Sequence, residues 1–479
     1  MIDYEVNIGI EIHAELLTSS KVFCSCPVRF GEPPNTLTCP VCLGLPGALP
    51  VLNKKAVDFA ILTALALNCQ INENPIFHRK NYYYPDLPKN YQISQYDTPI
   101  GINGYIDIES GDRKKRVRIR RVHLEEDTGK LLHSSGHITH SEMSFVDFNR
   151  SGVPLLEIVS EPDISTTDEA KEYLTNIRDI LIFLGVCDGK MEEGSMRCEA
   201  NISVRRKGAQ KLGTKTELKN INSFRAVERA LLYEIDRQIK VLSSGKEVVQ
   251  ETRHWDEKNE RTVSMRGKEE AHDYRYFPEP DLVPLEIDKN WIEKIKGSLP
   301  ELPEQKYERY KAIGLPPYDA KLLAHDIELS RFFEDTIKIF DNPKTISNWL
   351  LGDITKELKD RNRVLSQTPF TPDILVEMLS LIEEGRISGR IAKDLLPELI
   401  DKGVSPKRLI EERNLAQITD TESVLEVIRQ VIRENTNVVE EYKKGKEKSF
   451  TFLVGQVMRL TKGRANPKLV NELLKKELG

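Results

Sequence analysis

The stretch Val6-Asn-Ile-Gly-Ile-Glu-Ile-His13 near the N-terminus alternates apolar and polar residues. Successive side chains of a β-strand point to opposite faces of a sheet, so one valine and three isoleucines share one face. The opposite face carries Asn7, Gly9, Glu11 and His13. The sequence therefore predicts a strand with one buried apolar face and one face that presents a carboxylate and an imidazole.

Three further stretches place acidic, basic and amide side chains on one face by the same period of two. They are Glu199/Asn201/Ser203, His123/Glu125/Asp127 and Lys215/Glu217/Lys219. A solvated antiparallel sheet also has polar outer faces, and that interpretation stays open for any single strand. The mixture of Glu, His, Asn and Arg over four strands instead favours a divalent cation facing an anionic, phosphorylated substrate, because hard cations take oxygen ligands and keep several waters.

Length and composition predict a multidomain cytoplasmic protein without a membrane partner. The chain has 479 residues and a net charge of -5, and its length suits about three domains. Its longest nearly apolar run, residues 59–67, is far shorter than the roughly 20 residues that span a bilayer. The N-terminus lacks the basic start and apolar stretch of a secretory leader.

Four of the seven cysteines form a pattern typical of zinc sites. Cys24-Ser-Cys26 and Cys39-Pro-Val-Cys42 are separated by twelve residues. Two such turns can present four thiolates tetrahedrally, and a closed set of four sulfur ligands is structural. We therefore expect structural Zn²⁺ that fixes the following loop, residues 43–50. The alternative is a loop of reduced cysteines without a metal.

The distribution of predicted strands and helices along the chain indicates an α+β protein with three domains. Residues 1–292 alternate short strands with Gly and Pro turns, interrupted by helices expected at Asn53–Leu67, Thr167–Leu184 and Phe224–Leu242. Residues 293–405 read as an all-helical domain with proline at several helix starts, where proline is tolerated. Residues 406–479 are expected to form a small helical tail domain.

The tail is rich in basic residues: Lys443, Lys444, Lys446, Lys448, Arg459, Lys462, Arg464, Lys468, Lys475 and Lys476. Clustered lysines and arginines neutralise phosphates, which makes binding salt-dependent. RNA is the preferred partner of the tail, but not from this feature alone, because a charge run can also be a solvated helix face.

Six segments together resemble the B subunit of the aspartyl/glutamyl-tRNA amidotransferases, the GatB/GatE family of the GatCAB complex. The resemblance covers residues 4–479. The segments are Gly9–His13 (GIEIH), Arg79–Gln95 (RKNYYYPDLPKNYQISQ), His123–Asp127 (HLEED), Asp147–Asp163 (DFNRSGVPLLEIVSEPD), Met191–Val204 and Asp273–Asp281 (DYRYFPEPD).

The resemblance implies a fold and an activity. The first domain would be a cradle with an antiparallel sheet, followed by the helical domain and a YqeY-like tail that contacts tRNA. The family uses ATP and Mg²⁺ to phosphorylate the side-chain carboxylate of Glu-tRNA(Gln) or Asp-tRNA(Asn), and ammonia then displaces the phosphate. The expected partners are the amidase of the complex (its A subunit), which supplies ammonia, the small C subunit, the misacylated tRNA and a non-discriminating aminoacyl-tRNA synthetase.

The resemblance and the polar faces together assign expected site residues. Magnesium is expected among Glu11, His13, Glu125, Glu157, Glu199 and Glu217. Glu11, His13 and Glu125 are the first choice as catalytic residues, and Lys80, Arg150 and Lys219 are expected to hold phosphates. Tyr82, Tyr83, Tyr84 and Asn201 are expected to bind the nucleotide cofactor, or the tyrosines the terminal adenosine of the tRNA or its amino acid. The sequence has no GxxxxGK[ST] loop, so no phosphate-cradle motif marks the ATP site.

Two other function classes stay open at the level of sequence. A non-catalytic RNA-binding scaffold would use the zinc loop and the basic tail, with the acidic faces merely solvated. A stand-alone carboxylate-amine ligase would act on a small metabolite. Product formation that survives Glu11→Gln and Glu125→Gln would favour the scaffold, and activity on free glutamate would favour the small-molecule ligase.

Overall fold

The computed structural model describes residues 4–111, 113–133, 143–267, 271–413, 415, 421–461 and 464–479. The chain forms two compact units, of which the first ends at Leu302 and the second begins at Pro303. The domain limits predicted at 292/293 and 405/406 stay predictions.

The first unit contains the strands. They are β1 (Tyr4–Glu15), β2 (Gln70–Ile71), β3 (Phe77–Asn81), β4 (Tyr91–Gln95), β5 (Gly101–Ser110), β6 (Arg113–Glu126), β7 (Lys130–His133), β8 (Ser144–Asp147), β9 (Pro154–Ser160), β10 (Met196–Arg206), β11 (Thr216–Ile221), β12 (Glu251–Asp256), β13 (Arg261–Gly267) and β14 (Phe277–Pro278). Its helices are α1 (Lys54–Ala66), α2 (Thr167–Phe183), α3 (Phe224–Ser243) and α4 (Lys289–Lys296).

Nine of these strands form one sheet in the order β13-β12-β11-β10-β1-β9-β6-β5-β2. Neighbouring strands are antiparallel except β11 and β12, which are parallel. The α+β fold class is confirmed, and the expected antiparallel sheet is correct apart from that one pair. Strand β1 lies in the middle of the sheet, between β10 and β9.

The apolar residues of β1 are buried, as the alternating pattern predicts. Ile8, Ile10 and Ile12 are 0–1% exposed and belong to the core of the first unit. Burying each isoleucine contributes about 1.5–3 kcal/mol relative to leaving it in water. Helices α1, α2 and α3 contribute buried residues to the same core, so they cover the apolar face of the sheet.

The three helices begin where the sequence predicts, because each has a polar side chain at its N-cap. Asn53 accepts hydrogen bonds from the backbone N–H groups of Lys55 and Ala56, and Ser223 caps α3 in the same way. Such caps satisfy N–H groups that have no partner inside the helix.

In the part of the chain that the structure describes, two small sheets accompany the large one. Strands β14, β3 and β4 form a three-stranded sheet, and β7 pairs with β8. Arg79 on β3 makes two hydrogen bonds of 2.7 Å to the Glu279 carboxylate and one of 2.9 Å to Asp281. This bidentate pair fastens the segment after residue 270 to β3, which matters for the site.

The second unit is helical in its described part. Its helices are α5 (Pro303–Ala312), α6 (Pro317–Ala324), α7 (Ile327–Ile337), α8 (Pro343–Trp349), α9 (Thr355–Asp360), α10 (Pro372–Glu383), α11 (Gly389–Lys402), α12 (Pro406–Glu412), α13 (Thr421–Glu434), α14 (Thr436–Lys443), α15 (Glu447–Leu460) and α16 (Pro467–Leu478). A π-helical turn, Leu350–Ile354, joins α8 to α9.

The helices of the second unit build two separate cores. One contains buried residues from Tyr307 to Ile410, and the other contains buried residues from Val424 to Leu478. Among the described residues, none of the helices is long and apolar enough to cross a bilayer.

Candidate functional site

The six predicted magnesium ligands lie on the large sheet, where they form two clusters. His13, Glu125 and Glu157 form the histidine cluster, and Glu11, Glu199 and Glu217 form the glutamate cluster. Within each cluster the potential ligand atoms lie within 4.8 Å of one another. Strand β1 supplies one member to each cluster, because Glu11 and His13 are two residues apart and share a face.

Strand register brings the histidine cluster together. On β9, Glu157 is directly opposite His13 of β1 on one side and His123 of β6 on the other. One oxygen of Glu157 lies 3.3 Å from His13 Nε2 and 3.4 Å from His123 Nε2. The Ser94 hydroxyl donates to Glu125 at 2.8 Å. His123 thus lies against both carboxylates of the histidine cluster, and the Ser94 hydroxyl orients one of them.

The carboxylates of the histidine cluster remain ionised although they are buried. Burial alone raises the pKa of Glu157, but the charges and hydrogen bonds of His123 and His13 hold it well below its usual value. Burial also raises the pKa of Glu125, and the His123 hydrogen bond and the Lys80 charge outweigh that effect and lower it. Burial lowers the pKa of His13, yet Glu157, Glu199 and Glu125 together raise it to about 9. The site is built to hold positive charge.

The glutamate cluster spans β11, β10 and β1. Glu11 and Glu199 are directly opposite on neighbouring strands, an arrangement that is destabilising for like charges unless a cation lies between them. A separate side chain holds each carboxylate. Asn201 Nδ2 donates to Glu11 at 3.0 Å, the Thr252 hydroxyl donates to Glu217 at 2.7 Å, and Lys219 Nζ lies 2.7 Å from Glu199.

Both clusters suit Mg²⁺ by the chemistry of their donors. Hard divalent cations prefer carboxylate oxygens and need only one or two from each of several strands. The glutamate cluster offers three carboxylates, and the histidine cluster offers two carboxylates and the His13 imidazole, which binds a metal only after it releases its proton. The concentration of negative charge on adjacent strands is costly without cations, so the residues present fit the metal that the sequence predicts.

Lys80 lies next to the histidine cluster inside an aromatic wall. Its Nζ is 5.1 Å from the centre of the Tyr274 ring and 5.9 Å from that of Tyr82. The Tyr276 ring stacks on Tyr96 with a centroid distance of 4.3 Å. Burial alone lowers the pKa of Lys80, but the charges of Glu125, Tyr276, Tyr82 and Glu157 together outweigh it and raise the pKa. An ammonium held in this way can neutralise a phosphate next to the metal ligands.

The other predicted site residues described next are Arg150 and the three neighbouring tyrosines. Arg150 hydrogen-bonds to the carbonyl oxygens of Thr128 and Gly129 at 3.1 and 2.7 Å, and its Nε lies 3.5 Å from Asp127. Tyr83 is 74% exposed and Tyr84 47% exposed. By contrast, the Tyr82 hydroxyl donates to Gln92 at 3.4 Å, beside Lys80. The structure therefore gathers Tyr82 at the site, whereas Tyr83 and Tyr84 face solvent.

The four predicted zinc ligands are also close together. Cys24, Cys26, Cys39 and Cys42 have all four sulfur atoms within 4.8 Å of one another. The Cys39 and Cys42 sulfur atoms are 3.9 Å apart. Tetrahedral zinc with Zn–S bonds of about 2.3 Å requires sulfur separations of about 3.8 Å. The cluster is compatible with a structural metal site.

The basic tail presents exposed lysines and arginines. Lys443, Lys444, Lys446, Lys448, Arg459, Lys468, Lys475 and Lys476 are exposed, and Arg464 is half-buried. Lys462 lies outside the described residues. Lys446 is paired with Glu441 at 3.1 Å, so the tail is not uniformly cationic.

Several residues at the site are missing from the candidates that the sequence suggests. They are Ser94, His123, Thr252, Tyr274 and Tyr276. His123 shares the predicted polar face of Glu125, so the period of two could have identified it as a site residue. No such pattern points to Thr252, because its contact with Glu217 depends on the parallel pairing of β11 and β12.

Comparison with known proteins identifies the family to which the chain belongs. The GatB/GatE catalytic domain family matches residues 6–293, and the GatB domain family matches residues 331–478. The chain is 54% identical over 476 residues to the B subunit of the aspartyl/glutamyl-tRNA(Asn/Gln) amidotransferase of Thermoanaerobacter pseudethanolicus, covering 99% of both chains. It is 52% identical over 479 residues to the protein of the same name from Carboxydothermus hydrogenoformans, covering 100% of this chain and 99% of the relative. By domain content and by full-length similarity, this chain belongs to the GatB family of aspartyl/glutamyl-tRNA(Asn/Gln) amidotransferase B subunits.

Proposed function

We propose that this chain activates the side-chain carboxylate of misacylated tRNA, either Glu-tRNA(Gln) or Asp-tRNA(Asn), with ATP and Mg²⁺. The carboxylate oxygen attacks the γ-phosphorus of ATP, ADP leaves, and an acyl phosphate forms. Ammonia then attacks the carbonyl carbon, and inorganic phosphate leaves as the amide forms. The names of the relatives, which state an aspartyl/glutamyl-tRNA amidotransferase, support this substrate class.

The observation that carries the proposal is the pair of ligand clusters that share β1. Phosphoryl transfer depends mainly on positioning and on neutralising the charge of the transferred group. Magnesium bound at one or both clusters would clamp phosphate oxygens and neutralise their charge. The histidine cluster would hold one ion through His13, Glu125 and Glu157, and the glutamate cluster would hold a second through its three carboxylates.

The remaining side chains would then position the reactants. The Lys80 ammonium lies beside Glu125, so we assign it to the transferred phosphoryl group. Lys219 is held against Glu199 and would contact a phosphate next to the glutamate cluster. The wall of Tyr82, Tyr274 and Tyr276 would shield the reaction from water and offer ring faces to an adenine or a terminal adenosine.

We assign structural Zn²⁺ to the four-cysteine cluster and RNA binding to the basic tail. Four thiolates leave no open coordination position, so the metal would stabilise the loop rather than take part in the reaction. Exposed lysines on α14, α15 and α16 would neutralise tRNA phosphates. The amidase (the A subunit) as the source of ammonia, the small C subunit and a non-discriminating synthetase complete the proposed assembly.

The decisive experiment measures Gln-tRNA formation from Glu-tRNA(Gln) by the co-purified complex with ATP, Mg²⁺ and saturating ammonia. Free ammonia bypasses the glutaminase activity of the partner amidase. Glu125→Gln should abolish amide formation while the complex still binds tRNA, because the substitution removes a buried charged ligand. Glu247→Gln is the matched control, since Glu247 is exposed in the same unit. Equal activity of wild type and Glu125→Gln would exclude the histidine cluster as the activation site.

A further inference from the structure

Lys21 is a fully buried lysine next to the four-cysteine cluster. Its side chain is 0% exposed. Its Nζ lies 3.6 Å from Cys42 Sγ and 3.3 Å from the carbonyl oxygen of Phe148. A buried ammonium is strongly destabilising unless an anion and hydrogen-bond acceptors compensate it.

The Cys42 sulfur is the ionisable acceptor beside Lys21. In the part of the chain that the structure describes, Lys21 Nζ forms no ion pair with a carboxylate, and Cys42 is the acceptor that can carry negative charge. A cavity of about 100 Å³ is lined by Lys21, Lys89 and Glu126 among other residues, but Glu126 is already paired with Lys89. The geometry therefore matches Lys21 to the cysteine cluster and not to the nearby carboxylate.

Phe148, whose carbonyl accepts from Lys21, belongs to residues 147–152, the last residue of β8 and the turn after it. This segment, called turn 147–152, packs on the cysteine loop. The Ser151 hydroxyl donates to the Cys42 carbonyl at 3.2 Å, and the Val22 N–H donates to the Gly152 carbonyl at 2.9 Å. Gly152 has φ +83°, and a Cβ atom there would lie 3.5 Å from both Cys42 Cβ and Lys21 Cδ. The turn can approach this closely because glycine tolerates that backbone conformation.

The same turn carries Arg150. Its guanidinium holds the Thr128 and Gly129 carbonyl groups, directly after β6, the strand that ends with Glu125 and Glu126. The path from the cysteine cluster to the end of β6 therefore runs through Lys21, the Phe148 carbonyl and Arg150.

We propose that Lys21 is a positioning residue that couples metal binding at the four-cysteine cluster to the order of turn 147–152. Four thiolates around Zn²⁺ carry a net charge of -2, and the Lys21 ammonium offsets part of that charge while it donates to Phe148. Linkage is reciprocal, so a bound metal stabilises the docked turn, and a docked turn raises the metal affinity. This inference depends on a metal at the cysteine cluster and is independent of the proposed phosphoryl transfer.

The test uses the full-length chain loaded with Zn²⁺ or Co²⁺ and titrated with a chelator, and it measures no amidation activity. Lys21→Met is similar in length but uncharged, and it should lower the affinity for either metal about 10–100-fold. Losses of this size are usual for residues that hydrogen-bond to metal ligands without binding the metal themselves. Ser151→Ala removes only a neutral bond between the turn and the Cys42 carbonyl, so it should lower the affinity less than Lys21→Met. Lys21→Gln keeps a donor without the charge and serves if the methionine variant does not fold.

Hydrogen exchange provides the second measurement. In wild type, removal of the metal should speed amide exchange in residues 147–152, and in the Lys21 variants this response to metal should be lost or reduced. Three results would each overturn the proposal. They are a wild-type chain that binds neither metal, a metal affinity that is unchanged in both Lys21 variants, and amide exchange in the turn that does not change when the metal is removed.

Discussion

The Thr252 hydroxyl donates a 2.7 Å hydrogen bond to the Glu217 carboxylate, and both residues are buried. Among the described strands of the large sheet, theirs are the one parallel pair, and the register places Glu217 directly opposite Thr252. Thr252 thus fixes one carboxylate of the glutamate cluster from a strand that contributes no ligand to it. A carboxylate oriented in this way needs less reorganisation when it binds a cation.

Thr252→Val should weaken divalent-metal binding at the glutamate cluster about 10–100-fold. The valine has the same shape but leaves Glu217 with one fewer donor, at a cost of about 1–3 kcal/mol in stability. Thr252→Ser keeps the hydroxyl and should retain most of the affinity. Mn²⁺ titration of the three proteins provides the measurement, and a valine variant that binds like wild type would show that Thr252 does not orient the ligand.

The two clusters should bind metal independently. Wild type is expected to bind two Mn²⁺ ions in place of Mg²⁺, whereas Glu217→Gln and Glu157→Gln should each bind one, because each removes a ligand from a different cluster. Competition between Mn²⁺ and Mg²⁺ followed by electron paramagnetic resonance gives the stoichiometry. If either substitution removed both ions, the six residues would form one shared site instead of two.

Local pattern predicted much of this arrangement, and long-range register decided the rest. The period of two correctly separated Ile8, Ile10 and Ile12 from Glu11 and His13, because alternation is a property of the strand itself. The cysteine spacing likewise predicted a cluster of four sulfur atoms. The division of six ligands into two clusters depends on the strand order β11-β10-β1-β9-β6, which no local pattern contains.

Neighbouring tyrosines show the same limit. The sequence does not distinguish Tyr82, Tyr83 and Tyr84 from one another. In the structure, Tyr82 lies beside Lys80, whereas the other two are exposed. Tyr274 and Tyr276 complete the wall from almost two hundred residues away, because the Arg79–Glu279 ion pair fastens their segment to β3. The sequence predicted tyrosines at the site, and tertiary packing determines which tyrosines lie there.

Lys80→Met should lower amide formation about 100-fold or more when free ammonia is supplied. The substitution keeps most of the length of the side chain but removes the charge proposed to neutralise the transferred phosphoryl group. Such electrostatic contacts are typically worth 10²–10³ in rate. Lys80→Arg should restore part of the activity. Single-turnover amidation with bound Glu-tRNA(Gln) separates this effect from tRNA affinity, which both variants should leave unchanged.

The tail should contribute a salt-dependent part of tRNA affinity. Replacing Lys443, Lys444, Lys446 and Lys448 by glutamine removes four positive charges from exposed positions. Each lost phosphate contact should lower the slope of log affinity against log salt by about 0.7–0.9. Binding measured at several salt concentrations gives that slope, with Lys171→Gln on α2 as the control. An unchanged slope in the fourfold variant would exclude this segment from the RNA interface.

Glu169 should contribute stability that disappears in acid. Its carboxylate accepts hydrogen bonds from Lys115 Nζ at 2.6 Å, the Ser165 N–H at 2.8 Å and the Ser110 hydroxyl at 2.9 Å. Burial alone raises the pKa of Glu169, but these bonds outweigh it and lower the pKa below the usual value of 4.5. Because the folded state binds its proton less readily than the unfolded state, the contribution is complete well above pH 4.5 and is lost as the pH falls through the lower folded-state pKa.

Glu169→Gln therefore tests this assignment by its pH dependence. The difference in free energy of unfolding between wild type and Glu169→Gln should be largest near neutral pH and should shrink steadily below about pH 4.5. Asp168→Asn is the control, since Asp168 is exposed in the same first turn of α2 and should change stability by no more than about 0.5 kcal/mol. Denaturant unfolding at several pH values gives both differences. A Glu169→Gln difference that stays constant from neutral pH into acid would mean that packing, and not the charged hydrogen bonds, makes Glu169 stabilising.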